Sequence, residues 1–282
     1  MFVSPISSEI ISKLTTGSCN SAELVLEVAK ICQCSIQSVY AVLRKLRKES
    51  VVILHKKILT LNIVWIEEQS HLIQQARATY IDSSEGNAFY FGTLEEGDRL
   101  TYQFKNPVLL DEMWGHLFLL LIKQVSVGTP IMIYNPHSWF PIVRYASERT
   151  IFESLFDNGN KAYFSFAGKE ELDRDVCKQF VAPIGHSFSI GVDVGLKKGT
   201  YLNVIGDYII EVDIDEAVAE EIDAYFTKYA SIESANIQEL NAIVARRGKN
   251  KLALIKSARR AHRWRSKLAK NFLIPKESRR FV

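Results

Sequence analysis

The chain has 282 residues, 47% hydrophobic and 24% charged, with 14 glycines and 7 prolines. This near-average balance excludes a disordered, collagenous or disulfide-scaffold protein, and at roughly 100–200 residues per domain the length fits one large domain or a few small ones. The net charge of +3 hides a segregation: residues 1–62 carry 8 Lys/Arg against 4 Asp/Glu, residues 63–245 carry 13 against 27, and residues 246–282 carry 14 against 1. An acidic middle between two basic ends predicts modules with different tasks, either end being able to meet phosphates. Met1–Pro5 has no basic stretch leading into an apolar core, so no signal peptide is expected. The apolar run Leu117–Ile122 falls far short of the ~20 residues of a membrane span. Cys19, Cys32, Cys34 and Cys177 are irregularly spaced, which fits buried thiols in a reducing cytoplasm better than disulfides or a metal site.

In chain order, Ser7–Leu14 reads as a short helix stopped at Gly17. Asn20 is placed to cap a second helix with the stripe Leu24, Val25, Val28 and Ile31, and Ser35 to cap a third. In the third helix Ile36, Val39, Leu43 and Leu46 recur as one buried face, leaving Gln37, Ser38, Ala41, Arg44, Lys45 and Lys48 outward. Val51–Leu54 and Ile58–Leu61 are β-type runs joined by His55, Lys56 and Lys57, a hairpin with a basic tip. A helix of this width fits the major groove, and a cationic hairpin can clamp adjacent phosphates. The run Ser38–Leu46 followed by Val51-Val52 resembles the recognition helix and first wing strand of winged-helix transcription regulators. The resemblance implies that Ser38, Tyr40 and Arg44 face DNA. The chain departs from that pattern at Ala41, where a basic residue is frequent, and at Ser50, where glycine usually precedes the wing. The expected DNA-contacting set is Ser35, Gln37, Ser38, Tyr40, Arg44 and Lys45 with His55, Lys56 and Lys57. The alternative is a docking or antitoxin-like module that binds a protein partner.

From Asn62 to Ile81 there is neither proline nor glycine, and Trp65, Ile66, Leu72, Ile73, Ala76 and Tyr80 share a helical face. Such a helix can pair with its copy in a homodimer or pack on its own chain. The expected division is a head 1–62, a connecting helix 63–82 and a larger domain 83–282. Asp82–Asn87 reads as a turn-rich linker. Strands are expected at Ala88–Gly92, Arg99–Phe104, Pro130–Tyr134, Ala162–Phe166, Tyr201–Ile205, Tyr208–Val212 and Leu252–Ile255. Helices are expected at Pro107–Val127, Ile142–Phe156, Glu170–Phe180, Glu216–Tyr229, Ile237–Arg246 and Ala258–Phe272. This alternation predicts a mixed α/β (α+β) domain with helices packed on a parallel or mixed sheet.

The stretch Val204–Val212, then Ala217 through Tyr225-Phe226, resembles the phospholipase-D-like effector domain that follows the winged helix in TrmB-type regulators. The resemblance implies a cytoplasmic, dimeric transcription regulator of double-stranded DNA whose C-terminal domain senses a small molecule or partner. A phospholipase-D-type phosphodiesterase needs paired His-x-Lys: one histidine attacks phosphorus, another protonates the leaving oxygen, and lysine neutralises phosphate. The single His-x-Lys here, His55–Lys57, sits on the expected wing, and phosphate-loop, zincin and nucleophile-elbow motifs are absent. The reading is therefore of a protein that is not an enzyme and needs no cofactor or metal, with a phosphodiesterase or nuclease as the alternative.

Two further features concern ligands. His137, Trp139 and Arg144 follow the strand Ile131–Tyr134, and ligands of open α/β sheets gather beyond strand carboxyl ends, so these residues either line an effector pocket or belong to a rigid packed loop in which Arg144 pairs with an acid. Asp193, Asp207, Asp213 and Asp215 at strand ends read as solvated acids. In Ser257–Phe272 the stripe Ala261, Trp264, Leu268 and Phe272 is expected to dock while Arg259, Arg260, Arg263, Arg265, Lys267 and Lys270 point outward. Those cations either offset the acidic middle or make a second phosphate contact.

Overall fold

The computed structural model describes residues 4–82, 94–183 and 185–281. The expected linker beyond Asp82 and the strand Ala88–Gly92 lie outside them. The chain divides into two compact units, 1–89 and 90–282, each with its own core.

In the first unit α1 (Pro5–Thr15), β1 (Cys19–Asn20), α2 (Ser21–Ile31), α3 (Ile36–Lys48), β2 (Val52–His55) and β3 (Ile58–Leu61) follow in the order of a winged helix. The sheet order is β1-β3-β2, antiparallel throughout. Local chemistry starts each helix: Ser4, Asn20 and Ser35 accept hydrogen bonds from Ser7, Ala22 and Ser38 N–H, satisfying donors that the first helical turn leaves unpaired. Ile10, Leu24, Val28, Val39, Leu43 and Leu59 close the core. The connecting segment is a helix, α4 (Ile63–Arg77), that runs into a π turn, Ala78–Asp82, and α4 buries none of its own residues.

The second unit is built on a seven-stranded mixed sheet. Its strands are β4 (Arg99–Phe104), β5 (Pro130–Asn135), β6 (Lys161–Phe166), β7 (Ser187–Ile190), β8 (Thr200–Ile205), β9 (Tyr208–Asp213) and β10 (Asn250–Lys256). They lie in the order β4-β10-β9-β8-β5-β6-β7; β5–β6 and β6–β7 pair in parallel and the rest are antiparallel. The fold is thus mixed α/β, as read from the alternation of elements. Period-2 geometry divides the strand side chains between two buried faces. Ile131, Ile133, Ile210, Val212, Leu252 and Leu254 face one cluster, and Met132, Tyr134, Ile209, Ala253 and Ile255 the other.

The first face is covered by α5 (Pro107–Ile122), α7 (Tyr145–Asp157), α8 (Glu171–Val176), α9 (Glu216–Lys228) and α10 (Ile237–Val244), the second by α11 (Ala258–Ala269). The expected helix over Ile142–Phe156 is broken: α6 (Phe140–Val143) ends at Arg144 before α7 begins. Strand β7 is an edge strand with half-buried side chains and carries no strong apolar signal in sequence. Among the described residues no helix is long and apolar enough to cross a membrane.

Candidate functional site

Helix α3 buries Val39, Leu43 and Leu46, and the same 3.6-residue period turns Gln37, Tyr40, Arg44 and Lys45 outward, Tyr40 being 42% exposed. Ser38 is half-buried and Ser35 is engaged as the cap, its Oγ 3.1 Å from Ser38 N and 2.9 Å from Ser38 Oγ. His55 lies in the ladder opposite Ile58, so the tip is a two-residue turn of Lys56 and Lys57 rather than a three-residue one. Both lysines are exposed and have positive φ, 47° and 74°. A two-residue turn with φ > 0 at both positions ordinarily takes Asn-Gly, because a Cβ there meets the backbone. Ser50 takes φ 58° after the end of α3, where Val51 N–H donates to Leu46 O at 2.9 Å. This is the helix stop that glycine usually supplies; the departure seen in sequence is carried by a serine in glycine's conformation.

In the second unit His137 stands just beyond the carboxyl end of β5. Its Nδ1 lies 2.9 and 3.1 Å from the two oxygens of buried Asp173, and its Nε2 lies 3.2 Å from Asp223 Oδ1. The other oxygen of Asp223 meets Lys198 Nζ at 2.7 Å, and the imidazole stacks on Phe226 with centroids 4.5 Å apart. Both ring nitrogens face carboxylates, so both must donate, and only the imidazolium has two N–H groups. Burial opposes that charge, but the hydrogen bonds to Asp173 and Asp223 outweigh it and raise the histidine to about 9. Gly168 leaves the space the pair needs: a Cβ there would sit 2.6 Å from His137 Nδ1 and closer still to Asp173 Oδ2. The group borders a cleft of about 430 Å³ whose rim carries Lys169, Glu170, Asp193 and Lys197.

Trp139 and Arg144 lie elsewhere. Trp139 is 1% exposed within the core. Arg144 Nη1 donates to buried Asp111 Oδ2 at 2.8 Å. Glu148 is buried as well, and burial together with the nearby Asp111 charge pushes it up while Arg144 pulls the other way. Asp111, Glu148, Ser138 and Asn203 border an enclosed cavity of about 20 Å³, the room one water needs. Of the three expected pocket residues, the structure therefore brings only His137 to the cleft.

Asp173, Asp223 and Lys198 complete the constellation and escaped the sequence reading. The one local signal was the acid pattern Glu170-x-x-Asp173, which forms a reciprocal cap at the start of α8. Among the described residues no group of three or more His, Cys, Asp or Glu could hold a metal. Cys19, Cys32 and Cys34 are half-buried rather than buried. On α11 the outward set is corrected at Arg265, which is 7% exposed and whose guanidinium bonds Gly206 O; Lys267 is exposed, and its Nζ donates to Val194 O at 2.7 Å.

No protein-family model matches this sequence, and no curated protein matches it. Among solved structures, the chain is similar to TrmBL2, described as "an archaeal chromatin protein" that "shows a novel mode of DNA binding". The identity is 12% and the TM-score 0.35, over 94% of this chain and 90% of that one. It is also similar to NucT from Helicobacter pylori, with 11% identity and a TM-score of 0.38 over 62% of this chain and 96% of that one. With NucT among the structural neighbours, the expectation that this chain is not an enzyme is withdrawn.

Proposed function

We propose that the chain is a DNA-binding regulator whose head, residues 1–62, reads duplex DNA. The observation that carries this reading is the Lys56-Lys57 turn. Two lysines occupy left-handed positions that Asn-Gly would fill with less strain, and strain held at an exposed cationic tip points to function. Gln37, Ser38, Tyr40, Arg44 and Lys45 reach base edges in the major groove, Ser35 fixes the start of their helix, and His55, Lys56 and Lys57 meet the backbone. The helix over 63–82 joins two copies through Leu72 and Ile73, 63% and 55% exposed, and domain 83–282 receives a small-molecule effector in the His137 cleft.

The test is selection of bound duplexes from a random pool, followed by binding of variants to the selected site. Arg44→Ala is expected to cost about 1–3 kcal/mol and relax preference at one position. Replacing Lys56 and Lys57 by Asn and Gly is expected to weaken all sequences alike. Failure of the pool to yield any bound duplex, with a protein partner co-purifying instead, would establish the docking-module reading.

A second reading rests on the His137–Asp173 pair beside Lys198: an imidazolium can protonate a leaving oxygen, and the lysine can neutralise a phosphate. Turnover of bis(4-nitrophenyl) phosphate that disappears in His137→Asn would support phosphodiester hydrolysis. Equal rates in the two proteins would remove it.

A further inference from the structure

The second unit carries a cationic cleft at the opposite end of the sheet from His137. Strands β5 and β8 are antiparallel, with Met132 opposite Val204 and Tyr134 opposite Leu202. The carboxyl end of β5 leads to His137, and the carboxyl end of β8 to the Gly206-Asp207 turn. Around that turn a cleft of about 580 Å³ is bordered by Lys256, His262, Arg265 and Arg280, with Ser126 and Thr129 as neutral donors and Asp207 as its acid.

Arg265 deserves the most weight because it is buried. One of its terminal nitrogens is held by Gly206 O, while its Nε–H has no hydrogen-bond partner among the described residues. Lys256 Nζ is likewise bound to a carbonyl, Leu94 O, at 2.8 Å. Carbonyl dipoles orient these groups, while the Asp207 charge favours the charged form of Arg265 and Glu96 lies within electrostatic reach of half-buried Lys256, so the cleft is cationic but not free of acids. Arg280 lies over the Phe281 ring, its guanidinium carbon 4.7 Å from the centroid, which steadies it at the mouth. Exposed Arg259, Arg263 and Lys270 continue the charge along α11, and a segment with 14 cations against 1 acid exceeds what a single small anion calls for.

We propose that this cleft holds a phosphate of the DNA backbone, a second and sequence-independent contact made by the C-terminal unit. The site rests on the reading of the chain as DNA-binding but not on the head as the reader. Arg265, Lys256 and Arg280 supply charge-assisted donors to phosphate oxygens, and Ser126 and Thr129 complete the shell.

The test uses the full chain with Lys256→Gln and Arg280→Gln combined, both lying at the edge of the cleft rather than in the core. Affinity for a labelled duplex of arbitrary sequence is followed by anisotropy against salt, and folding is checked by circular dichroism. Loss of this one phosphate contact is expected to lower the slope of log K against log salt by about 0.9, a roughly three- to fourfold smaller fall in affinity over a fourfold salt range. The same decrement is expected in the background of Lys56→Ala and Lys57→Ala, which separates the cleft from the head: a decrement that persists when the head variants themselves change nothing upholds the cleft and removes the head. Unchanged slope and affinity in the folded double variant would overturn the proposal. So would calorimetric binding of inorganic phosphate that the double variant loses while duplex binding stays intact, because the site would then serve a small phosphorylated ligand.

Discussion

Ser50, Lys56 and Lys57 each hold a backbone conformation that costs an L-residue roughly 1–2 kcal/mol, and they differ in what a substitution would do. Ser50 carries out a chain reversal that glycine performs without strain, so Ser50→Gly is expected to raise stability by about 0.5–1 kcal/mol, read as a higher urea midpoint, with DNA affinity unchanged. Asn-Gly at 56 and 57 is expected to stabilise as well, but at the expense of affinity. A stabilised variant that keeps full affinity would show that the lysines do not contact DNA. His137 invites a pH experiment. Its folded basicity, about 9, lies above the ordinary 6.5 of an unfolded histidine, so its contribution is complete below pH ~6.5 and is lost as pH rises through ~9. Unfolding free energy is therefore expected to fall across that window, by an amount of order 3 kcal/mol, and the fall is expected to vanish in His137→Gln. Gly168→Ala, which pushes a methyl between His137 and Asp173, is expected to remove the same dependence.

At the scale of elements, α3 and the hairpin carry the two halves of the proposed recognition, of base edges and of backbone, while α4 poses a different problem. A helix of 15 residues that buries none of them is marginal alone in water, yet Ile63, Val64, Leu72 and Ile73 are all more than half exposed. The proposed pairing of two copies through Leu72 and Ile73, neighbours on one side of the helix, supplies burial that the helix lacks on its own. Leu72→Glu with Ile73→Glu is expected to shift the chain from dimer to monomer in sedimentation and to weaken binding to a two-half-site duplex far more than to a single half-site. A wild-type monomer at micromolar concentration would refute the pairing.

For the whole molecule, the two buried carboxyls Asp111 and Glu148 bias stability in acid. Burial raises both above the ordinary carboxylate range, against the pull of Arg144 and with a smaller push from Glu112 at Asp111 and from Asp111 at Glu148. The folded state then holds protons that the unfolded chain releases, so stability falls as pH climbs from the ordinary carboxylate range toward neutrality, Asp111 being raised to about 7. Glu148→Gln keeps the neutral form at every pH and is expected to be more stable than the parent at neutral pH, with the difference closing near pH 4. An unchanged or lower urea midpoint at neutral pH would place the charged form of Glu148 in a compensated site.

How far sequence alone reaches follows from which forces are local. Helix caps at Asn20 and Ser35, the apolar stripe of α3, the hairpin and the period-2 strands were legible, because each arises within a few residues from hydrogen-bond satisfaction or from alternation between faces. The break at Arg144 and the half-buried edge strand β7 were not legible, being set by partners distant in sequence, and the two-residue turn at Lys56-Lys57 was not, because the pairing of polar His55 with Ile58 carries no apolar signal. The sites divide the same way. An outward α3 face and a charged tail could be read directly. The joining of His137 to Asp173 and Asp223, the diversion of Arg144 to Asp111, and the inward turn of Arg265 were decided by tertiary structure, since a side chain's charge is free in sequence but must find its counter-charge wherever the packed chain places one.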